Sequence, residues 1–499
     1  MKNRILVFVS ILTSVTSFAQ PNAEEFNTFL QSCYEKFDLP AMSVSVVKDG
    51  RVVLNSNFGE KSEKSKTGVP NENTLYAIAS LSKAFTSAAI GMLVDEGKLK
   101  WDDKVVEHLP WFALNDPYVT ANITIEDLLC HRSGLITFDG DLLWYGSNYT
   151  REEAIKRLRE RPLTYGFRSE FGYQNLMFMT AGEVIESASG MTWDEFIETR
   201  ILKPIGMVRT TSSFQKFSTD FNSAKPHLKG KEIFMLSYDN SGATAALNSS
   251  TADMSKWIDF WLDNGIVNGD TLLSAQSIKK LWSTHTPLGV GNFDERNGTH
   301  FKGYGMGWFL MDYDGKKVIH HGGGLPGYIS KVAIIPEDNL GIMALTNDMS
   351  SVPSLLMYAV IDWANGKDYT KWMDMFYEFK VGGDQRESDN MQERLETKKA
   401  DPRMLPVTDY LGIYEDVMYG KAEVSMGESG LIMSLLPAKE LFTGNMEPWN
   451  DHAFKFEVND PFLPFGVANF DVKEDVIKGF TIELPNNDFH FNKLYFKKQ

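Results

Sequence analysis

The chain has 499 residues, with 50 Lys and Arg against 66 Asp and Glu, two Cys, 43% apolar residues and 12% aromatics. At roughly 150 residues per domain that length predicts two or three domains, and the ordinary apolar fraction excludes bulk disorder and fibrous classes. A net charge of −16 argues against nucleic-acid binding or docking on an anionic membrane surface, and two cysteines cannot staple a disulfide scaffold of this size.

In chain order the first element is a targeting segment. Lys2 and Arg4 precede an apolar run from Ile5 to Val15, and Ser17-Phe18-Ala19 follows. That is the order of a secretory signal peptide over residues 1–19, cut after Ala19, so the expected product is exported, periplasmic or secreted. No later run approaches the ~20 apolar residues of a spanning helix, so no transmembrane segment is expected. A helix is predicted over Ala23–Phe37, with Cys33 on its buried face. Cys130 lies in another apolar stretch, so two buried thiols are the default reading and a Cys33–Cys130 disulfide the alternative.

Met42–Val47 alternates as a strand, Asp49-Gly50 turns it, and Val52-Val53-Leu54 starts the return. From about Thr74 to Asn264 the period is mostly helical. Strands return at Val318–His320, Lys331–Ile335 and Gly341–Leu345, and a helix at Val352–Trp363. The expected fold class is α+β, an antiparallel sheet flanked by helices with an inserted helical subdomain, over residues 20–365. Residues 366–403 turn charged and are expected to form a linker with some surface helix. Residues 404–499 carry short, aromatic-rich strand candidates at Leu411–Tyr414, Ala453–Val458 and Leu494–Phe496, expected to form a small β barrel or half-barrel.

A serine nucleophile needs a base within hydrogen-bond reach, and Ser-x-x-Lys on a helix places both groups on one face. The pattern occurs at Ser45/Lys48, Ser80/Lys83, Ser213/Lys216 and Ser277/Lys280. Ser45 falls in a strand, where positions three apart face opposite ways. Ser213 falls in a polar loop, and Ser277 on a helix whose lysines face solvent. Ser80 opens a run, Ala84 to Leu93, that is apolar nearly all round and therefore predicts a central buried helix. Desolvation there favours the neutral, proton-accepting form of Lys83, and the helix N-terminus offers N–H groups to an oxyanion. The bland alternative is a capping serine followed by a lysine that reaches the surface.

Tyr173-Gln174-Asn175 precedes another helix and would present a phenol and an amide together. His320-His321-Gly322-Gly323-Gly324-Leu325-Pro326-Gly327-Tyr328 suits close approach of a strand to a ligand, with a bare turn as the alternative. Adjacent strand histidines point to opposite faces, and neither paired Cys/His spacing nor a nucleotide loop occurs, so no metal or cofactor is expected. Gly-x-Ser-x-Gly is absent, which disfavours an α/β-hydrolase.

In this order the residues resemble the serine β-lactamase and penicillin-binding-protein superfamily, closest to class C β-lactamases and their esterase and D-aminopeptidase relatives, over roughly Ala41 to Trp363. LYAIASLSKAFTSAAIGMLVDEGKLKWDDKV resembles the nucleophile helix, TIEDLLCHRSGL the segment that follows it, and GYGMGWF and HHGGGLPGY the strand and turn lining one side of the cleft. The resemblance implies Ser80 as acylated nucleophile, Lys83 as its proton acceptor and Tyr173 as proton shuttle. It implies Asn175, His321, Gly323 and Gly324 as substrate-binding, Asn175 positioning either the substrate's amide or Lys83, with Ser80 and Gly324 supplying the oxyanion N–H groups. His131, Ser133 and Gly134 would be packing features. His321-Gly322-Gly323 stands where many members have Lys-Thr-Gly or Lys-Ser-Gly, so a permanent cation for a substrate carboxylate is replaced by a histidine. The final domain resembles the lipocalin-like modules of some members. The expected function is an exported serine hydrolase of D-amino-acid peptides, β-lactams or esters, with cell-wall peptides among the candidate substrates. The alternative is a binding protein that kept the fold and lost turnover.

Overall fold

The computed structural model describes residues 22–428 and 430–499; the signal-peptide expectation for residues 1–19 lies outside them. Asn22 caps helix α1 (Ala23–Lys36) with its side chain, and Phe26, Phe29, Leu30 and Cys33 form its buried face. Both cysteines are free and buried, as the default reading held.

Eight strands form one antiparallel sheet: β1 (Ala41–Lys48), β2 (Arg51–Gly59), β3 (Thr286–Leu288), β4 (Lys302–Tyr304), β5 (Phe309–Tyr313), β6 (Lys316–Leu325), β7 (Tyr328–Ile335) and β8 (Leu340–Thr346). Their order is β2-β1-β8-β7-β6-β5-β4-β3. The inserted helical region packs on one face through helices α2 (Ser82–Asp95), α3 (Asn175–Ser189) and α4 (Thr251–Leu262). The other face carries α1 and α5 (Val352–Ala364). Twelve of the fourteen residues of α2 are buried, so it is the central helix its composition predicts. Phe85 on α2 stacks on Trp257 of α4 with centroids 3.8 Å apart.

The charged segment 366–403 is better ordered than a linker. It holds a 26-residue helix, α6 (Lys371–Glu396). Trp372 anchors its start, stacking on Tyr358 at 4.6 Å and donating from Nε1 to Asp362 Oδ2 at 2.7 Å. Near its far end Arg394 lies over the Phe465 ring at 4.1 Å. Two buried aromatics in a mostly exposed helix are too few for composition to reveal.

The C-terminal strands β9 (Gly412–Asp416), β10 (Gly420–Gly427), β11 (Gly430–Leu435), β12 (Thr443–Asn450), β13 (Ala453–Val458), β14 (Gly466–Lys473), β15 (Val476–Glu483) and β16 (Phe496–Lys498) close into an antiparallel barrel, β16 pairing with β9. Its inside is aromatic: Tyr410 meets Phe454 and Phe470 edge-on at 4.9 and 5.0 Å, and Phe480 stacks on Phe496 at 4.9 Å. Eight strands leave an interior that side chains fill. Barrel and helical region share one continuous apolar core. Among the described residues no helix is long and apolar enough to cross a membrane.

Candidate active site

The Ser80 turn is built from its neighbours. Tyr76-Ala77 pairs with Asn248-Ser249, and the chain then turns through a 3-10 segment, Ala79–Leu81, into α2. Ala79 sits at φ +51, a left-handed conformation that costs a non-glycine residue about 1–2 kcal/mol. Three contacts hold it there. Ile78 N donates to Leu247 O at 3.0 Å, Ser330 Oγ donates to Ile78 O at 2.8 Å, and Ser82 Oγ donates to Ala79 O at 2.7 Å. The half-buried Ser80 is thereby lifted to the mouth of a helix whose first N–H groups have no side-chain cap.

Lys83, fully buried, brings Nζ to 3.0 Å from Ser80 Oγ and donates to Thr244 O at 3.1 Å. Burial pushes its ammonium well below the usual lysine range, opposed by the charge of Asp141. The other Ser-x-x-Lys pairs do structural work. Ser45 lies in β1, and Ser277 donates to Asp95 at 2.7 Å while Lys280 pairs with Glu126 at 2.6 Å. Ser213, expected in a loop, instead caps a short helix over Phe214–Thr219.

Tyr173 is 8% exposed, its ring centroid 4.8 Å from Lys83 Nζ and its phenol directed at Ser80. Burial raises its pKa, so it is a proton donor in the resting site. Asn175, at the start of α3, spends both ends of its amide inside the protein. Nδ2 donates to Asp141 Oδ2 at 2.6 Å, and Oδ1 accepts from Thr244 Oγ1 at 2.8 Å. Of its two expected roles, the packing therefore favours holding Lys83, through Thr244.

Strand β6 forms the opposite wall. Phe309 at the start of β5 pairs with His320, so from His321 onward β6 has no partner on that side and offers free backbone groups to the cleft. Gly323 is where β6 passes the Ser80 turn, since a Cβ there would lie 2.2 Å from Ile78 O and 2.4 Å from Ser330 Oγ. Gly324, the next residue, is exposed beside that approach. The two histidines face opposite ways, as a strand requires. His320 stacks on Phe309 at 5.7 Å and bonds Lys331 Nζ at 3.0 Å. His321 is 1% exposed; its Nδ1–H donates to Gly322 O at 2.6 Å, which leaves Nε2 to accept from Tyr304 Oη at 3.2 Å. Burial and the nearby Lys83 push its pKa down to about 3, so the ring is neutral and both nitrogens are occupied. His321 is a wall residue here, not a cation held out to a substrate. The nearest ammonium on β7, Lys331, is itself pushed down to about 8 by burial.

Asp141 and Thr244 went unread in the sequence, and His131 was expected only as a packing feature. His131 packs against the Tyr173 ring at 4.2 Å and takes the Gln174 backbone N–H at Nδ1, 2.9 Å away, leaving Nε2 unpartnered among the described residues. Its segment is clamped below by the buried Asp127, which pairs with Arg132 and Arg168, each at 2.6 Å. Asp141 is buried, and burial raises its pKa to about 7, with the Trp144 and Asn175 donors and Lys83 opposing and Asp488 assisting. Trp144 Nε1 and Asp141 Oδ1 are both buried without a hydrogen-bond partner among the described residues. An acid at the head of the apolar run Leu142–Tyr145 was the available signal for Asp141; Thr244, amid small residues, offered none.

Comparison with known proteins agrees with this architecture. The Beta-lactamase family model matches residues 26–362, and a domain of unknown function, DUF3471, matches residues 396–498. The chain is 28% identical to Protein flp of Staphylococcus aureus strain COL over 367 residues, covering 72% of this chain and 70% of that protein. It is 26% identical over 388 residues to Unguisins hydrolase ungD' of Aspergillus campestris, covering 70% of this chain and 67% of that one. The structure of the octameric penicillin-binding protein homologue from Pyrococcus abyssi superposes with a TM-score of 0.63 at 22% identity, over 96% of this chain and all of that one, a likeness of fold. The sheet with its inserted helices, the barrel that follows and the matched span together identify this chain as a member of the Beta-lactamase family, with a C-terminal DUF3471 barrel.

Proposed function

We propose that the protein is an exported serine hydrolase that cleaves amide or ester substrates through an acyl-enzyme on Ser80. The observation that carries the reading is the contact of Ser80 Oγ with a buried, desolvated Lys83 amine at 3.0 Å. Lys83 takes the Ser80 proton as Oγ bonds to the substrate carbonyl carbon. The backbone N–H groups of Ser80 and Gly324 receive the oxyanion. Collapse of the tetrahedral adduct breaks the C–N or C–O bond, and the leaving group takes a proton relayed from Lys83 through Tyr173. Water then attacks the acyl carbon, giving its proton back along the same relay, and Ser80 is released.

The neutral His321 supports esters and amides of D-amino-acid type over penicillins, because it supplies no cation to a substrate carboxylate. Intact-mass time courses with a penicillin and with p-nitrophenyl acetate, run beside Ser80→Ala, test the reading. A wild-type adduct or burst abolished by Ser80→Ala is expected. Turnover that survives Ser80→Ala overturns it, and binding without any adduct favours a ligand-binding protein. The order of charged, apolar and small residues over 1–19 supports export. Cell fractionation with N-terminal sequencing, expected to begin at Gln20, tests that.

A further inference from the structure

Asp141 has no part in the acylation scheme, yet its carboxyl is wired to the base. Oδ2 accepts from Asn175 at 2.6 Å, Asn175 accepts from Thr244 Oγ1 at 2.8 Å, and the Thr244 carbonyl accepts from Lys83 Nζ at 3.1 Å. Asp141 begins a 3-10 turn, Asp141–Leu143, and the residues just after it are where the barrel docks. Tyr145 Oη donates to Asp460 Oδ2 at 2.7 Å, the Tyr145 ring packs on Phe489 at 4.3 Å, and Asn148 N donates to Pro437 O at 2.8 Å. One short segment thus meets the base on one side and the barrel on the other.

We propose that Asp141 is a positioning residue that sets the charge on Lys83, and that the barrel tunes it through Asp488. The proposal rests on the Ser80–Lys83 reading above. Acylation moves a proton from Ser80 Oγ to Lys83 Nζ, creating an ammonium where burial opposes one; an ionised Asp141 stabilises it. The groups that face Asp141 are Lys83 from α2, Asn175 from α3, Trp144 on its own segment and Asp488 from the barrel. Lys83 also faces Tyr173, His131 and His321, all uncharged in the buried site. Phe489 on the Tyr145 ring brings the adjacent Asp488 to this segment, where its charge opposes ionisation of Asp141. Its own charge is opposed by burial and favoured by His490.

The two carboxyls therefore act on Lys83 with opposite sign, which a merely structural role would not produce. The test is the pH dependence of trace acetylation of Lys83 by acetic anhydride in the full chain, read by peptide mass spectrometry. Asp141→Asn keeps the shape and the Asn175 contact and is expected to lower the Lys83 midpoint by about one pH unit. Asp488→Asn frees Asp141 to ionise and is expected to raise the midpoint by a smaller amount. Unmoved midpoints, or shifts of the same sign in both variants, overturn the proposal. If Asp141→Asn does not fold, Asp488→Asn decides alone: an upward shift supports the proposal and none overturns it. Because the readout is the Lys83 amine, it is independent of Ser80 labelling, so failure of the hydrolase reading and failure of this proposal are separate results.

Discussion

The two domains fill their interiors with different groups, aromatic rings in the barrel and ionisable side chains around Ser80. In the barrel, Tyr414 Oη donates to the Tyr410 carbonyl at 2.7 Å, Tyr419 Oη has no partner among the described residues, and aromatic edges fill the remaining space. In the Ser80 region, Lys83, Asp141, His131 and His321 are buried together with incomplete or neutralised partners. An unpaired buried polar group costs about 1–3 kcal/mol, and His131 Nε2 and Asp141 Oδ1 are two such atoms. The barrel interior is aromatic packing, whereas the interior of the Beta-lactamase family domain gathers ionisable groups beside Ser80. The barrel holds the segment that follows Asp141 through Asp460, Phe489 and Pro437.

Substitutions can break that contrast. The largest effect is expected from Ser80→Ala, which should lower acylation by at least about a thousandfold with little change in Tm. Lys83→Met should follow, with a loss of about 10²–10⁴. In the wild type, acylation should rise with pH along a limb well below the ordinary lysine range, because burial lowers the Lys83 pKa and the free amine is the active form. That limb should vanish in Lys83→Met, a pH–rate profile being the check. Gly323→Ala places a methyl against Ile78 O and should displace the Ser80 turn, lowering acylation about a hundredfold and the Tm by a few degrees. The smallest effect on chemistry is expected from Phe454→Ala inside the barrel. It should cost about 3–5 kcal/mol in denaturant melts while single-turnover acylation by the folded fraction is unchanged. A large loss of rate there would erase the distinction between the domains.

Much of the site was legible because chemistry and pattern coincided. Ser80 and Lys83 stood out from three other Ser-x-x-Lys pairs by the apolar run that follows, and burial of that run is what desolvates the lysine. Gly323 was legible as a close approach, though not what it approaches. His321 was legible as a departure from lysine, but only its hydrogen bonds to Gly322 and Tyr304 show a ring committed to the wall. The helix in the charged segment was less legible, because Trp372 and Phe376 carry nearly all of its burial.

The sequence by itself determined the local elements, the central helix, the Ser80–Lys83 pair at its start and the appended β domain, since each rests on periodicity or on neighbours within a few residues. Only the tertiary structure decided the closure of the barrel, its docking on Tyr145 and the line from Asp141 through Asn175 and Thr244 to Lys83. Those depend on groups far apart in the chain that meet only when the core collapses, and no spacing rule encodes which buried polar atoms will then face one another.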